Sequence, residues 1–429
     1  MEGSFVSVPF MTINFFRGIA LRVSHVMRMC GACANGRRGR LCVRVRSYWL
    51  CLPPTNGLRI ACPHFSPLEF TCLCVSIAVV LYVDECIMSF LNCFKSNKMI
   101  DSELIENAMH GNVDKVLNLL GRGANVNITN NDGRTALIWA SRNDHLHVVR
   151  ALLYHNGVEV NIKDADGETA LIWASWNGHL GVVRALLNHE RVEVNIKNND
   201  GETALIGASY NGHFEVVRAL LNHKGMEVNI TDNDGNTALT SATYNGHLEV
   251  VRALLYHEKV NVNIRNANYG NTALIYASCN GHLELVRAFL NHKGVDVNIK
   301  NAYGKTALID ASCNGHVEVV RALLKHKGVE VNIKNSHGNT PLIYASCNGH
   351  LDSVRALLNE NAVDVNIKNN DGNTALIVAS WNGHLEVVRE LLHHNGVEVD
   401  IKNNDGEAAL DVAHTEKKDD FVRLLKEDV

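Results

Sequence analysis

Glycine recurs along this chain with a period that few folds can accommodate. Gly133, Gly167, Gly201, Gly235, Gly270, Gly304, Gly338, Gly372 and Gly406 stand 34 residues apart, apart from one 35-residue step between Gly235 and Gly270. Each unit reads approximately D-G-x-T-A-L-I-x-A-S-x-N-G-H-L-E-V-V-R-A-L-L-x-H-x-G-V-E-V-N-I-K-N-N. A repeat of this size marks a solenoid, in which every unit contacts only its neighbours. A length of 429 residues suggests two or three ordinary domains, and the period overrides that prior.

The chemistry within one unit predicts its local structure. Asp166-Gly167 is a turn pair. Thr169 is a helix N-cap opening a short helix at Ala170-Leu171-Ile172. Pro341 replaces that Ala once, as the first helical position allows, because its N–H has no helical partner. Asn177-Gly178 ends the helix, Gly adopting the left-handed conformation of a C-cap. Asp144 stands there in the first full unit, and Asp is among the few other residues tolerated. A second helix, Leu248 to Leu255, places Glu249 early and Arg252 three residues on, which suits the helix dipole and forms an i,i+3 pair. The alternating Val-Glu-Val-Asn-Ile-Lys reads as a short extended finger. One unit buries too little apolar surface to offset the entropy of ordering its 34 residues, so stacking must supply the difference.

The recurring D-G-x-T-x-L, G-H-L-E-V-V and V-N elements resemble the ankyrin repeat over residues 101–429. The resemblance implies an all-α solenoid with short β-hairpin fingers, two antiparallel helices per unit, and a role in binding other proteins. Three departures stand out. The family's T-P-L-H is mostly T-A-L-I here. Each unit is one residue longer than usual, around the turn after the second helix. That turn's Gly becomes Arg191, Lys259 and Ala362 in three units. Residues 101–125 read as a degenerate N-terminal cap, unit 1 below. Eight full units follow, units 2–9. Residues 406–429 form a C-terminal cap, unit 10, with the charged face Glu416-Lys417-Lys418-Asp419-Asp420. Polar outer caps are what a solenoid needs for solubility.

Residues 1–100 form a separate, basic, Cys-rich arm, read as disordered or as no domain. They hold nine Arg and two Lys against four acids, and nine of the twelve Cys. Three readings compete. From Arg17 to Arg59 there is no acid, as in transit peptides. Phe70 to Val83 is uncharged, which raises a membrane anchor near 70–94, although it is shorter than the ~18–20 residues of a span. The third, and favoured, reading is an over-extended gene model, since Met88 and Met99 lie just before the cap. Cys30-x-x-Cys33 lacks the second close pair of a structural zinc site.

The body from residue 101 carries a net −11, which repels a phosphate backbone, so direct nucleic-acid binding is not expected. No phosphate loop, G-x-S-x-G, kinase loop or H-E-x-x-H is present. Fifteen of the 22 His occupy two repeat positions, as in His179 and His189. Successive units place such residues about 10 Å apart, a helix diameter, too far to share one metal. Cys279, Cys313 and Cys347 are likewise too far apart to pair, since a disulfide needs Cα atoms within about 7 Å, so they are expected as free thiols in a reducing compartment. No enzyme activity, cofactor or metal is expected. A monomer in the cytoplasm or nucleus is expected, with membrane association as the alternative.

Positions that vary between units are candidates for function. Two lie three apart on the first helix and so share a face: Trp139/Arg142, Trp173/Trp176, Gly207/Tyr210, Ser241/Tyr244, Tyr276/Cys279, Asp310/Cys313, Tyr344/Cys347 and Val378/Trp381. The resemblance places the second of each pair on a concave, partner-binding face. Arg142, Trp176, Tyr210, Tyr244, Cys279, Cys313, Cys347 and Trp381 are therefore the candidate binding row. Trp176, Tyr210 and Tyr244 form an aromatic ribbon of the residue types that dominate hot spots. The competing reading has the rings filling gaps between repeats. The finger tip after D-G adds Arg134, Glu168, Glu202 and Lys305. The Asn closing each finger's V-x-V-N, Asn161 among them, matches a site where some ankyrin proteins are hydroxylated; a purely structural Asn is the competing and favoured reading. With caps at both ends, residues 100–429 expressed alone should melt cooperatively; a largely unfolded, non-cooperative profile overturns that domain boundary.

Overall fold

Short helices without tertiary support do not persist in water, and the first helix of each full unit has only seven or eight residues, as in Ala170–Trp176 and Ala375–Asn382. The computed structural model describes residues 41–45, 48–52, 99–416 and 419–427. Within it each first helix packs on its own second helix and on the first helix of the next unit, while second helices pack on one another in turn. The result is a two-layer helical stack. Residues 1–92 form a separate unit, in which strands Leu41–Val45 and Tyr48–Leu52 pair antiparallel. The sequence reading gave no element there. The anchor reading near residues 70–94 and the Cys30/Cys33 motif lie outside the described residues. Among the described residues no helix is long and apolar enough to cross a membrane.

The caps form as the sequence chemistry dictates. Thr169 Oγ1 accepts the Ile172 N–H at 3.3 Å, and every full unit repeats this bond. Pro341 is accepted at the start of Pro341–Cys347 without loss of the cap. The C-terminal cap unit has Ala408 in place of Thr, and there Asp411 Oδ2 accepts the Ala408 N–H at 2.9 Å. Second helices carry the expected exposed pairs, such as Arg252–Glu249 at 2.9 Å, worth only a few tenths of a kcal/mol each. The core is continuous: Ala170, Leu171, Ile172 and Ala174 from a first helix meet Val182, Val183 and Leu186 from its second, all essentially solvent-free. Two fully buried Ala per first helix let neighbouring units approach closely.

The stack is locked by bonds that no unit makes alone. His213 Nε2 donates to the carbonyl of Trp176 at 3.0 Å, the last residue of the preceding unit's first helix. The ring nitrogen must be the donor, since a carbonyl only accepts. The same clamp joins His179 to Arg142, His247 to Tyr210 and His316 to Cys279. It satisfies one of the carbonyls that a helix C-terminus leaves without a partner. The other recurring His braces its own turn in four units, as where His189 Nδ1 accepts the Arg191 N–H at 3.3 Å; Nδ1 of His155, His223 and His394 is buried without a hydrogen-bond partner. Both sets are structural. The finger Asn also braces the neighbour, Asn161 donating to Arg191 O at 2.8 Å and accepting from Glu193 N at 3.1 Å.

The finger itself corrects the sequence reading. Val-Glu-Val-Asn-Ile-Lys forms no strand; Val160-Asn161 is a turn, with Val158 and Val160 buried. Alternation here records alternate burial. The hairpin shrinks to a tight turn with two backbone bonds, Asp164 N–H to Glu168 O at 2.9 Å and Gly167 N–H to Asp164 O at 3.0 Å, and among the described residues Thr129–Thr135 and Thr231–Thr237 reach an isolated bridge. A side chain braces the turn: Asp164 Oδ1 takes the N–H groups of Asp166 and Glu168. Adjacent fingers are tied directly, Ala165 N–H to Asp132 O at 2.8 Å.

Gly178 shows what the clamp demands. Its φ is +78°, and a Cβ there would lie 2.6 Å from His213 Nδ1. Asp144 holds this place in unit 2 with φ +60°, its carboxylate 3.9 Å from His179 Nδ1 as partial compensation. Gly406, with φ +82° and open space around it, is the natural control, since its turn position is left-handed in every unit. Gly406→Ala should cost about 1–2 kcal/mol from the left-handed backbone alone. Gly178→Ala should cost about 1 kcal/mol more for the disturbed clamp. Urea titrations of the two variants give the comparison, and equal losses would remove the clamp from the account.

Candidate functional site

The last residues of the first helices form a row in the order Arg142, Trp176, Tyr210, Tyr244, Cys279, Cys313, Cys347, Trp381, one per unit. Because the first helices pack side by side, this row is continuous along the stack. Tyr210 is 44% and Tyr244 56% exposed, and Trp381 is also exposed. Trp176 is half-buried. It stacks on Tyr210 with ring centroids 5.6 Å apart and planes 15° from parallel. It also covers Gly207, where a Cβ would meet Trp176 at 3.0 Å. Trp176 therefore fills a gap between units while presenting a stacked face, whereas Tyr210 and Tyr244 stay largely in solvent. Tyr244 meets Tyr276 edge-on at 5.5 Å, which extends the ribbon by a residue from the other first-helix position.

The N-terminal end of the row is basic and aromatic. The Arg142 guanidinium lies 4.3 Å from the Trp173 ring centroid, and Arg134 lies 5.2 Å from the same ring. Arg134 is further held by Asp164 at 3.0 Å and Asp166 at 3.4 Å. Buried Asp164 also accepts from Trp173 Nε1 at 3.0 Å, so its charge is fully surrounded by donors. Toward the other end the thiols of Cys279, Cys313 and Cys347 are free and half-buried. Asn side chains of the following unit lie against them, such as Asn314 Nδ2 at 3.5 Å from Cys279 Sγ. Burial pushes the Cys279 and Cys347 thiols up, away from the thiolate. No group of side chains among the described residues is arranged to hold a metal.

The finger tips have partners within the stack. Six of the eight tip residues meet the Asp or Asn at the base of the next finger, and the pairs match chemically. Arg134 faces Asp164, Glu168 faces Asn198 at 2.8 Å, and Asn271 faces Asn301 at 2.8 Å. Glu202 would face Asp232, a like charge, and turns back to Asn198 at 3.2 Å instead. Lys305 pairs with Asp310 at 3.0 Å and lies over the Tyr344 ring at 5.2 Å. Variation at Arg134, Glu168, Glu202 and Lys305 thus has a source inside the scaffold, which a single unit's sequence hides. Sequence reasoning missed Tyr269 and Tyr303, which stack at 6.5 Å on the finger edge and are half-exposed. The signal was present: they replace the Asp that precedes Gly in most other units.

The family model described as "Ankyrin repeats (3 copies)" matches residues 104–198, 188–266, 258–335, 293–369, 327–403 and 361–429. The chain belongs to the ankyrin-repeat family. Such proteins generally mediate protein–protein interaction and are typically non-enzymatic. Among solved structures the chain is similar to EF0377, an ankyrin repeat protein, at 31% identity, covering 48% of this chain and 100% of that one with a TM-score of 0.43. A search of curated proteins finds no match.

One ankyrin finger contact carries a titration. Burial pushes the Glu168 carboxyl up to about 7, reinforced by Asp164, Glu202 and Asp166 and opposed by the Asn198 bond. Its second oxygen, Oε2, is buried without a partner. A carboxyl whose folded pKa is raised favours the fold while protonated, so stability falls as pH rises from about 4.5 through about 7 and then levels. Glu168→Gln keeps the neutral shape. It should raise the melting temperature at pH 8 by on the order of 2 °C and change little at pH 5. An equal shift at both pH values would show that ionisation of Glu168 is not the cause.

Proposed function

We propose that this ankyrin stack is a non-enzymatic scaffold that binds a partner protein on the concave face formed by its first helices. The binding row is Arg142, Trp176, Tyr210, Tyr244, Cys279, Cys313, Cys347 and Trp381. The observation that supports this most is the exposure of Tyr210 and Tyr244, large aromatic rings that the packing between units leaves largely in solvent. Such rings bring wide contact area with few rotamers to freeze. The finger tips at Arg134, Glu168, Glu202 and Lys305 add a second set of contacts; their bonds within the stack preorganise them. The protein acts as a monomer in the cytoplasm or nucleus.

Cross-linking mass spectrometry in a native extract identifies the partner, and calorimetry measures it. Replacing Trp176, Tyr210 and Tyr244 by Ala should weaken binding by about 2–4 kcal/mol, while Ala at Cys279, Cys313 and Cys347 should cost much less. Trp176 packs on Gly207, so the Tyr210→Ala/Tyr244→Ala pair is the arm least coupled to folding. A folded pair variant that binds as tightly as the parent would move the site away from this row.

A further inference from the structure

The finger edge is divided by charge. Finger segments 127–134, 161–168, 195–202 and 229–236, in units 2–5, carry eight acids and three bases. Segments 263–271, 298–305 and 332–339, in units 6–8, carry four bases, Arg265, Lys300, Lys305 and Lys334, and no acid. Of the acids in the first half, Asp164 and Asp166 are matched by Arg134; of the bases in the second, Lys305 is matched by Asp310, which leaves Arg265, Lys300 and Lys334. Asp200 and Asp234 are exposed and take part in no ion pair among the described residues. The acidic fingers belong to the units that carry Trp176, Tyr210 and Tyr244 on their first helices, and the basic fingers belong to the units that carry the cysteines, with the Tyr269–Tyr303 stack on their edge. A further inference follows for the partner, and it rests on the interaction reading above.

We propose that the occupant of the aromatic ribbon is an extended, charge-segregated segment of a partner protein, with Lys and Arg over units 3–5 and carboxylates over units 6–8. The first half offers a cationic segment two complementary features in the same units, aromatic rings on the first helices and unpaired carboxylates on the fingers. The second half repels that cation and welcomes an acid. Complementary potentials of this kind select the partner and fix its register. A uniformly basic chain meets like charge in units 6–8, and a uniformly acidic one meets it in units 2–5. The register sets a length. Units 4 and 7 lie three repeats apart, about 30 Å at a helix diameter of about 10 Å per unit. An extended chain rising about 3.3 Å per residue covers that in about nine residues, so a cationic and an anionic block should be centred about nine residues apart.

The probes are fluorescent synthetic peptides of about 18 residues with one composition in Lys, Arg, Glu, Tyr and Gly. In one pair the cationic and anionic residues form two blocks, in either chain direction; in the control they alternate. Net charge and composition are equal, so only segregation differs. At near-physiological salt the better block peptide should bind full-length protein about tenfold more tightly than the alternating one. Asp166→Ser, Asp200→Ser and Asp234→Ser together should remove that advantage. Asp371→Ser with Asp405→Ser should leave it, since these exposed finger acids lie outside units 2–8. Tyr and His at the same turn position in units 6–8 show that the fold accepts a neutral residue there. Equal binding of block and alternating peptides overturns the inference, as does equal loss in the two Asp sets. If the Tyr210→Ala/Tyr244→Ala pair still releases the native partner while the peptides are not distinguished, the interaction reading stands and the charge-segregated occupant falls.

Discussion

Seven junctions between units depend on one arrangement: a helix in one unit ends where a histidine of the next begins to donate. The carbonyl of Trp176 is left without a helical partner, and His213 supplies one at 3.0 Å. Gly178 keeps the chain in the left-handed turn and leaves space for that ring. Glycine and histidine are thus one device split across two units, which explains their joint recurrence better than either role alone. Asn161 adds a second crossing, to Arg191 and Glu193 of the following unit. Since the bonds that complete each unit come from its neighbour, stability is a property of interfaces.

The fingers apply the same principle with charge. A tip residue and the next finger's base must match, as Arg134 matches Asp164 and Glu168 matches Asn198. Where the match fails, the structure adapts locally. Glu202 avoids Asp232 by turning to Asn198, and burial, reinforced by the neighbouring acids, raises the Glu168 pKa to about 7. These accommodations fix the finger side chains in defined positions, in the same units that carry Trp176, Tyr210 and Tyr244. Rigid placement lowers the entropy lost on binding, so the scaffold's own bonds bear on what its surface can do.

The candidate row shows how one side chain can serve two purposes. Trp176 is held by Gly207 beneath it and by Tyr210 beside it. Tyr210 and Tyr244 have less packing to lose and more surface to offer. The competing readings of the ribbon, packing or binding, therefore separate by residue: packing weighs most at Trp176, exposure at the two tyrosines. The cysteines further along are small and half-buried, with neighbouring Asn amides against their sulfurs.

The sequence by itself determined the architecture, because the helix-forming and helix-ending signals are local. Thr169 caps, Gly178 turns, and the 34-residue period places each such signal in register with the last. The sequence also located the row of Arg142, Trp176, Tyr210 and Tyr244, since i,i+3 spacing is a local fact. Only the tertiary structure decided what variable residues were for. Val-Glu-Val-Asn alternates like a strand, yet Val158 and Val160 are buried and the finger closes in a short turn in which Asp164 Oδ1 takes the N–H groups of Asp166 and Glu168. Arg134 and Glu168 look like unassigned surface until Asp164 and Asn198, 30 residues on, are set beside them. Those contacts join residues far apart in the chain and depend on how one unit lands on the next, information that no single repeat contains.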